Sequence, residues 1–271
     1  MKRKTILIII AAVCAVGMAV SAVRMIQLYV GKVQTDNSYS RLREHINEPV
    51  DSETQTPDES GTDVSDTADT QPDTSAPDEP TVDPKYAQIH AMNSDFVGWI
   101  RIDGTNIDYP VMQTVDDPEY YLTRNFDKEN DWHGVPFLDF RCDLTSADNY
   151  IVYGHRMYDG SMFEDLVKFA DASFCEEKHT IEFDTLYESG KWEPVVVFSI
   201  SAGDMYMFPY NTVTEFSYRD QTASDYVSRC KPYAIWCDEN ADLSKNKLLT
   251  LSTCEYSHTN GRLVIVAAKV N

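Results

Sequence analysis

Basic residues are scarce in this chain. It has 23 Lys and Arg against 44 Asp and Glu in 271 residues, which gives a formal net charge of −21. The charge is uneven: residues 1–47 carry +5, residues 48–84 carry −12, and residues 85–271 carry −14. Because so acidic a compact part cannot neutralise phosphates, nucleic-acid binding is disfavoured. An enzyme, a binding module and an acidic surface protein remain.

Metal-ligand spacings are absent as well. The sequence contains no Cys-x-x-Cys and no His-x-x-x-His pattern, so it does not indicate a structural zinc site. Loop acids such as Asp204, Asp238 and Glu239 are more typical of solvated side chains than of calcium ligands. No internal repeat is visible. We therefore expect neither a metal nor another cofactor.

Charge is missing from Thr5–Val23, a run of 19 residues that follows Lys2, Arg3 and Lys4. As a helix it would be about 28 Å long, close to the thickness of a bilayer's hydrocarbon core. The run predicts a single-pass membrane anchor in contact with lipid, with a cytoplasmic N-terminus and the rest of the chain outside the cell. A cleaved signal peptide is the alternative, because Val20-Ser21-Ala22 resembles a cleavage site.

The segment Glu48–Pro84 has no basic and no aromatic residue, but it has 12 acidic residues and six prolines. Such a composition cannot bury enough apolar surface to offset the entropy of ordering, so we expect a disordered stalk. The predicted organisation is a cytoplasmic tip and anchor over residues 1–30, a juxtamembrane segment over 31–47, the stalk over 48–84 and a folded domain over 85–271.

The folded part is rich in apolar and β-branched runs of strand length bounded by turn residues. Four runs predict strands: Tyr150–Tyr153, Trp192–Ile200, Lys247–Thr253 and Leu263–Val270. Ile100–Ile102 and Ile107–Val111 predict a hairpin around Asp103-Gly104. Helices are predicted over Pro84–Met92, Met162–Ala170 and Thr222–Trp236, the last capped by Thr222 or Ser224. This pattern indicates a mostly antiparallel barrel or sandwich with peripheral helices.

The chain has six cysteines, of which Cys14 lies in the predicted anchor. Five remain outside, so at least one thiol is free even if disulfides form. Cys230 and Cys237 lie seven positions apart on a predicted helix and are typical of small core residues. Cys142 and Cys175 carry no further signal.

Cys254 has a distinctive position, because it ends one predicted strand and Arg262 begins the next after the loop Glu255–Gly261. Antiparallel pairing would place the two residues opposite each other. A guanidinium beside a thiol lowers the thiol pKa or stabilises an oxyanion. The alternative is a packed cysteine at a strand end and an unrelated surface arginine.

His155 follows the predicted strand Tyr150–Tyr153 after a single glycine. Its ring is therefore expected at the rim of the sheet, where it can reach a rim cysteine. His258 competes for the same role, but it lies in a loop, whereas a catalytic acid or base needs a fixed orientation. The other histidines are expected to be solvated or hydrogen-bonded; they are His45, His90, His133 and His179.

The same residues carry a family resemblance. Thr250-Leu-Ser-Thr-Cys254 followed by Arg262 is similar to the signature of sortases, and Tyr153-Gly-His155 resembles their histidine motif. Further runs resemble the class B branch of that family: Gly98–Ile100, Asn106–Gln113, Glu119–Leu122, Phe137–Asp139 and Gly160–Phe163.

The resemblance implies a closed sortase β-barrel of about eight strands and a cell-surface cysteine transpeptidase of Gram-positive bacteria. Such enzymes cleave the C-terminal sorting signal of a surface protein, of the Asn-Pro-x-Thr-Asn or Asn-Pro-x-Thr-Gly kind, after its Thr. A thioester then passes the protein to a peptidoglycan amine, with no obligatory metal. The implied roles are nucleophile for Cys254, general acid/base for His155 and oxyanion or carbonyl donor for Arg262. By position, the implied groove residues are Leu122, Tyr153, Ser252 and Glu255.

Other functions stay open at this point. A pilus-polymerising sortase would use a pilin lysine as its acceptor. An L,D-transpeptidase is disfavoured, because no Ser-His-Gly-x-x-x-Cys motif leads to Cys254. A non-catalytic, stalked surface β domain would not need Cys254, His155 and Arg262 together.

Overall fold

The computed structural model describes residues 3–47, 80–201, 203, 221–255 and 260–270. Nearly all of the predicted stalk therefore lies outside the described residues, as does His258.

The N-terminal helix α1 runs from Arg3 to Asn47 and covers the apolar run Thr5–Val23. The helix expected there is present. Within the described part of the chain, however, no helix has an apolar stretch that is long enough to cross a membrane. The predicted transmembrane anchor is thus not supported by the structure.

The last turns of α1 pack against the barrel. Tyr39 and Leu42 are only 1% and 2% exposed. The Tyr39 hydroxyl donates a hydrogen bond to the carbonyl oxygen of Gly134 (3.3 Å), and the Arg43 guanidinium pairs with the Asp108 carboxylate at 2.7 Å. Residues of the predicted juxtamembrane segment therefore share a core with the folded domain.

The sheet contains nine strands in the described part of the chain. They are β1 Phe96–Ile102, β2 Asp108–Met112, β3 Phe137–Leu138, β4 Asn149–Tyr153, β5 Ile181–Thr185, β6 Lys191–Ile200, β7 Ala234–Cys237, β8 Leu248–Glu255 and β9 Gly261–Lys269. Their order is β5-β1-β2-β3-β4-β8-β9-β6-β7, and a β5–β6 pairing closes the ring. Eight strands thus form a closed barrel, as predicted, and β7 extends the sheet from an edge of β6.

Most neighbours are antiparallel, and the predicted β1–β2 hairpin is present, with Gly104 at φ +74° in its turn. Two pairs are parallel, β2–β3 and β4–β8. The β4–β8 pair joins segments about a hundred residues apart in the chain.

Side chains of β8 and β9 point alternately into the barrel and away from it, so the two strands contribute to two separate hydrophobic clusters. Leu249, Leu251 and Ile265 point into the barrel, whereas Leu248 and Val264 point outward and pack in a second cluster with residues of the helix Ala223–Cys230. Helix α4, Ala223–Cys230, buries its apolar side there, and its N-terminus is capped by the side chain of Thr222. Successive side chains of a strand face opposite sides, so the outward face of β8 continues beyond α4 to Ser252 and Cys254.

The other helices are α2, Pro84–Met92, and α3, Ala172–Glu176. Short 3₁₀ segments occur at Tyr120–Thr123, Glu164–Ala170 and Lys231–Tyr233. Helix α2 begins at the predicted residue, because Asp83 caps it and Pro84 fits the first turn.

Two predicted helices are wrong in part. The run Thr222–Trp236 is not one helix: α4 ends at Cys230, a 3₁₀ turn with Pro232 follows, and Ala234–Cys237 pairs with β6 as strand β7. Proline removes an amide donor and clashes with the preceding turn, which explains the break. The run Met162–Ala170 contains a 3₁₀ helix rather than an α-helix.

Candidate functional site

The hairpin of β8 and β9 places Cys254 directly opposite Arg262 in antiparallel register. Residues paired in this way project from the same face with Cβ atoms about 5 Å apart. The predicted juxtaposition is therefore confirmed. Within the described residues, the one hydrogen bond of the Arg262 side chain runs from Nη1 to the carbonyl oxygen of Gly261 (3.0 Å), which leaves other guanidinium donors for a bound group.

His155 reaches the same place through the parallel pairing of β4 with β8. Tyr153 lies opposite Ser252, the Gly154 amide donates to the Ser252 carbonyl (3.2 Å), and Thr253 Oγ1 donates to the Gly154 carbonyl (2.8 Å). His155 thus follows directly after a fixed strand end. A Cβ at Gly154 would lie 2.6 Å from the Phe163 ring, so this approach requires glycine.

The ring of His155 is held by a backbone group. Its Nε2 lies 2.7 Å from the carbonyl oxygen of Leu122. Because a carbonyl only accepts hydrogen bonds, Nε2 carries a proton in this contact. In the neutral ring, Nδ1 is then the nitrogen that can accept a proton.

These side chains line one cavity of about 440 Å³. Its walls are Pro118, Glu119, Leu122, Phe137, Asp139, Phe140, Arg141, Tyr153, Gly154, His155, Ser252, Thr253, Cys254 and Arg262. Six of the seven residues predicted for the site are among them. The seventh, Glu255, ends β8, and its side chain lies outside what the structure describes.

Cys254 differs from the other cysteines of the folded part. None of the six cysteines, all of which lie in the described residues, forms a disulfide, and Cys142, Cys175 and Cys230 are buried. Burial raises the pKa of Cys142 to about 12 and that of Cys175 to about 11, so these thiols stay protonated near neutral pH. Cys254 is half-buried and lines the cavity. Cys237 lies on β7, not on a helix as predicted.

A polar network in the cavity wall contains two residues, Asp139 and Arg141, that are not among the predicted site residues. Asp139 is 4% exposed; its carboxylate accepts two hydrogen bonds from the Arg141 guanidinium (2.8 and 2.7 Å) and one from the Tyr153 hydroxyl (2.8 Å). Burial alone would raise the pKa of Asp139, but the bonds from Arg141 and Tyr153 hold that pKa below its usual value. The network fixes the Tyr153 ring, which also packs on Phe137. The sequence contains little indication that these residues belong to the site. Asp139 ends one of the runs that resemble class B sortases, but Arg141 lies in none of them.

Comparison with known proteins identifies this arrangement. A family model described as a sortase domain matches residues 100–270. Sortase B of Staphylococcus aureus is 34% identical over 195 residues, which cover 69% of this chain and 75% of that protein. The chain belongs to the sortase family. Sortase B of Listeria monocytogenes is 35% identical over 187 residues, covering 65% of this chain and 70% of that one, so this sortase is of class B.

Solved structures agree. The X-ray structure of Clostridium perfringens sortase B matches with a TM-score of 0.61 at 30% identity, covering 68% of this chain and 98% of that chain. A Staphylococcus aureus sortase B–substrate complex matches with a TM-score of 0.61 at 31% identity, covering 70% and 87%. The eight-stranded barrel is thus the sortase fold. Since sortases are transpeptidases, this sortase is an enzyme, and a non-catalytic surface domain is no longer a competing interpretation.

Proposed function

We propose that this sortase cleaves a C-terminal sorting signal of the Asn-Pro-x-Thr-Asn/Gly kind after Thr and joins the carboxyl group to a peptidoglycan amine. The observation that carries the proposal is that Cys254, His155 and Arg262 line a single cavity. Relatives support the two substrates: one Staphylococcus aureus sortase B structure is a substrate complex, and another sortase B structure is a complex with triglycine.

The first half-reaction uses Cys254 as the nucleophile. Its thiol gives its proton to Nδ1 of His155, and its sulfur attacks the carbonyl carbon of the Thr residue, which forms a tetrahedral oxyanion. Arg262 lies directly across the strand pair, and its forked N–H groups donate hydrogen bonds to that oxygen. Collapse of the intermediate breaks the C–N bond and leaves a thioester on Cys254.

His155 moves the protons. The leaving amine takes a proton from the ring, and the incoming amine later gives one back as it attacks the thioester. Because Nε2 is bound to the Leu122 carbonyl, Nδ1 is the nitrogen that exchanges the proton. The thioester conserves the energy of the cleaved peptide bond until an amine arrives. The groove residues Leu122, Tyr153, Ser252 and Glu255 then align the signal peptide.

The cellular setting is part of the proposal and depends on the sequence alone. The apolar run Thr5–Val23 would hold the enzyme in the membrane, and the acidic stalk would let the domain reach the wall. Membrane fractionation of cells with and without residues 5–23 tests this, and equal membrane recovery of both forms would contradict it.

Trapping the acyl-enzyme tests the chemistry. We expect full-length enzyme incubated with a sorting-signal peptide to gain the mass of the acyl fragment on Cys254, and the Cys254→Ala variant to gain none. An adduct on Cys142, Cys175, Cys230 or Cys237 would refute the assignment. Adding triglycine, a peptidoglycan stem peptide or a pilin-derived lysine peptide in parallel then identifies the acceptor, and turnover with the lysine peptide alone would favour pilus polymerisation.

A further inference from the structure

His133 lies outside the cavity and is enclosed by protein, with 2% of its side chain exposed. Each of its ring nitrogens faces a carboxylate: Nδ1 is 2.7 Å from Asp131 Oδ1, and Nε2 is 3.3 Å from Asp159 Oδ2. An ionised carboxylate only accepts hydrogen bonds, so both contacts are satisfied at once only when both nitrogens carry protons. The environment thus fits an imidazolium.

The two carboxylates come from different loops. Asp131 belongs to the loop between the Tyr120–Thr123 turn and β3, where its amide donates to the Thr123 carbonyl (3.0 Å). Asp159 belongs to the loop that follows β4, and its other oxygen accepts from Ser161 Oγ at 2.6 Å. His133 therefore links two loops that no strand pairing joins in the described part of the chain.

Both loops hold His155. A Cβ at Gly134, the residue after His133, would lie 2.7 Å from the Leu122 carbonyl oxygen, which shows how closely the first loop packs on that group. The same oxygen accepts the hydrogen bond of the His155 ring. In the second loop, the Phe163 amide donates to the His155 carbonyl (2.8 Å). The turn on which the first loop packs thus holds the His155 ring, and the second loop holds the His155 backbone.

We propose that His133, as an imidazolium bound between Asp131 and Asp159, is a positioning residue that fastens these two loops and so holds the His155 ring on the Leu122 carbonyl. It touches no reacting atom. The proposal deepens the proposed function, because it concerns how the general acid/base is oriented.

The charges around His133 predict how the link depends on pH. Burial alone would lower the pKa of His133, but the Asp131 and Asp159 carboxylates outweigh it and raise that pKa above the ordinary value. Tyr39 of α1 faces the Asp131 carboxylate and Tyr109 of β2 faces the Asp159 carboxylate, but none of the described contacts joins these tyrosines to the His133 ring. While both carboxylates are ionised, the link is therefore intact below the raised pKa of His133 and weakens as pH rises through it.

Histidine side-chain NMR tests the proposal directly. In full-length protein labelled with ¹⁵N-histidine, we expect His133 to remain an imidazolium above its ordinary pKa, and neutral His155 to show a single tautomer protonated at Nε2. In His133→Gln, His155 should show a mixture of tautomers. Since small misplacements of a catalytic group are costly, kcat should fall by about 10-fold, with KM for the peptide changed less than about twofold.

Asp159→Asn separates charge from shape. The amide oxygen can still accept from Ser161, while the amide NH₂ can donate to Nε2 of a neutral His133 ring. We expect the pKa of His133 to fall, and the His155 ring to keep its single tautomer as His133 loses its charge, because the neutral His133 ring retains both contacts. His179→Gln is the matched control, because it removes another histidine–carboxylate contact, with Glu177 at 3.0 Å, away from both loops; it should change neither signature.

An unchanged His155 tautomer in His133→Gln, or a loss of that tautomer with rising pH in Asp159→Asn as in the wild type, would overturn the proposal. If His133→Gln does not fold, the titration of the wild type and of Asp159→Asn decides alone. The tautomer measurement needs no turnover, so its result is independent of whether Cys254 forms a thioester, and a failure of the transpeptidase proposal would be seen separately in the trapping experiment.

Discussion

Replacing Tyr39 tests whether the end of α1 is part of the folded unit. Its ring is 1% exposed and meets the Tyr109 ring edge-on at 5.4 Å. Truncation of a buried aromatic side chain typically costs about 3–5 kcal/mol, so we expect Tyr39→Ala to lower the free energy of unfolding by about that amount. Tyr39→Phe keeps the ring and loses only the hydrogen bond to Gly134, which costs about 1 kcal/mol.

Urea denaturation of the full-length protein measures these changes as shifts in midpoint at constant slope. Glu44→Ala is the control, because Glu44 is exposed on the same helix and surface substitutions usually stay within about 0.5 kcal/mol. A Tyr39→Ala effect as small as that of the control would show that α1 is not packed on the barrel in solution. The expected result also means that a stable fragment begins before residue 38, not at residue 85.

Three further predictions concern the site. His155→Ala should lower turnover by about 10²–10⁴-fold and His258→Ala by only a few fold; steady-state kinetics with the reverse pattern would assign the acid/base role to His258. Arg262→Lys and Arg262→Ala should both lose about 10²–10³-fold in rate if the guanidinium donates to the oxyanion, whereas near-wild-type turnover of the Lys variant would mean that only the positive charge matters. Asp139 has a lowered pKa, so its contribution to stability is complete above its ordinary pKa and is lost as pH falls through the lowered value. The melting temperature should therefore depend less on pH between pH 7 and pH 3 in Asp139→Asn than in the wild type. An equal dependence in the two proteins would exclude Asp139 as its source.

Local sequence patterns were sufficient to predict the part of the site whose residues lie close together in the chain. Cys254 and Arg262 oppose each other because two apolar runs flank a short loop, and Asn260 adopts the left-handed conformation, at φ 54°, that such a return uses. The rim position of His155 followed from the end of the apolar run before it.

The rest depends on distant partners that no local pattern encodes. The parallel β4–β8 pairing, which brings His155 to Cys254, joins segments about a hundred residues apart. His133 was expected to be an ordinary solvated or hydrogen-bonded histidine, because the sequence does not reveal that Asp159, 26 residues away, supplies its second carboxylate. The helix predicted over Thr222–Trp236 failed for a different reason: the apolar period continued through Pro232, but a proline cannot sustain the helix.

The position of β9 in the barrel has a consequence for biosynthesis. This strand follows β1–β8 in the chain and lies between β8 and β6, so the ring cannot close until Gly261–Lys269 has left the ribosome. Until then β6 and β8 each present an edge without a partner, a state that invites aggregation. A nascent chain therefore contains β1–β8 before it can form a working enzyme. A stop codon just before Gly261 would remove both Arg262 and the closing strand β9. Closure of the barrel and completion of the site thus depend on the same strand, β9.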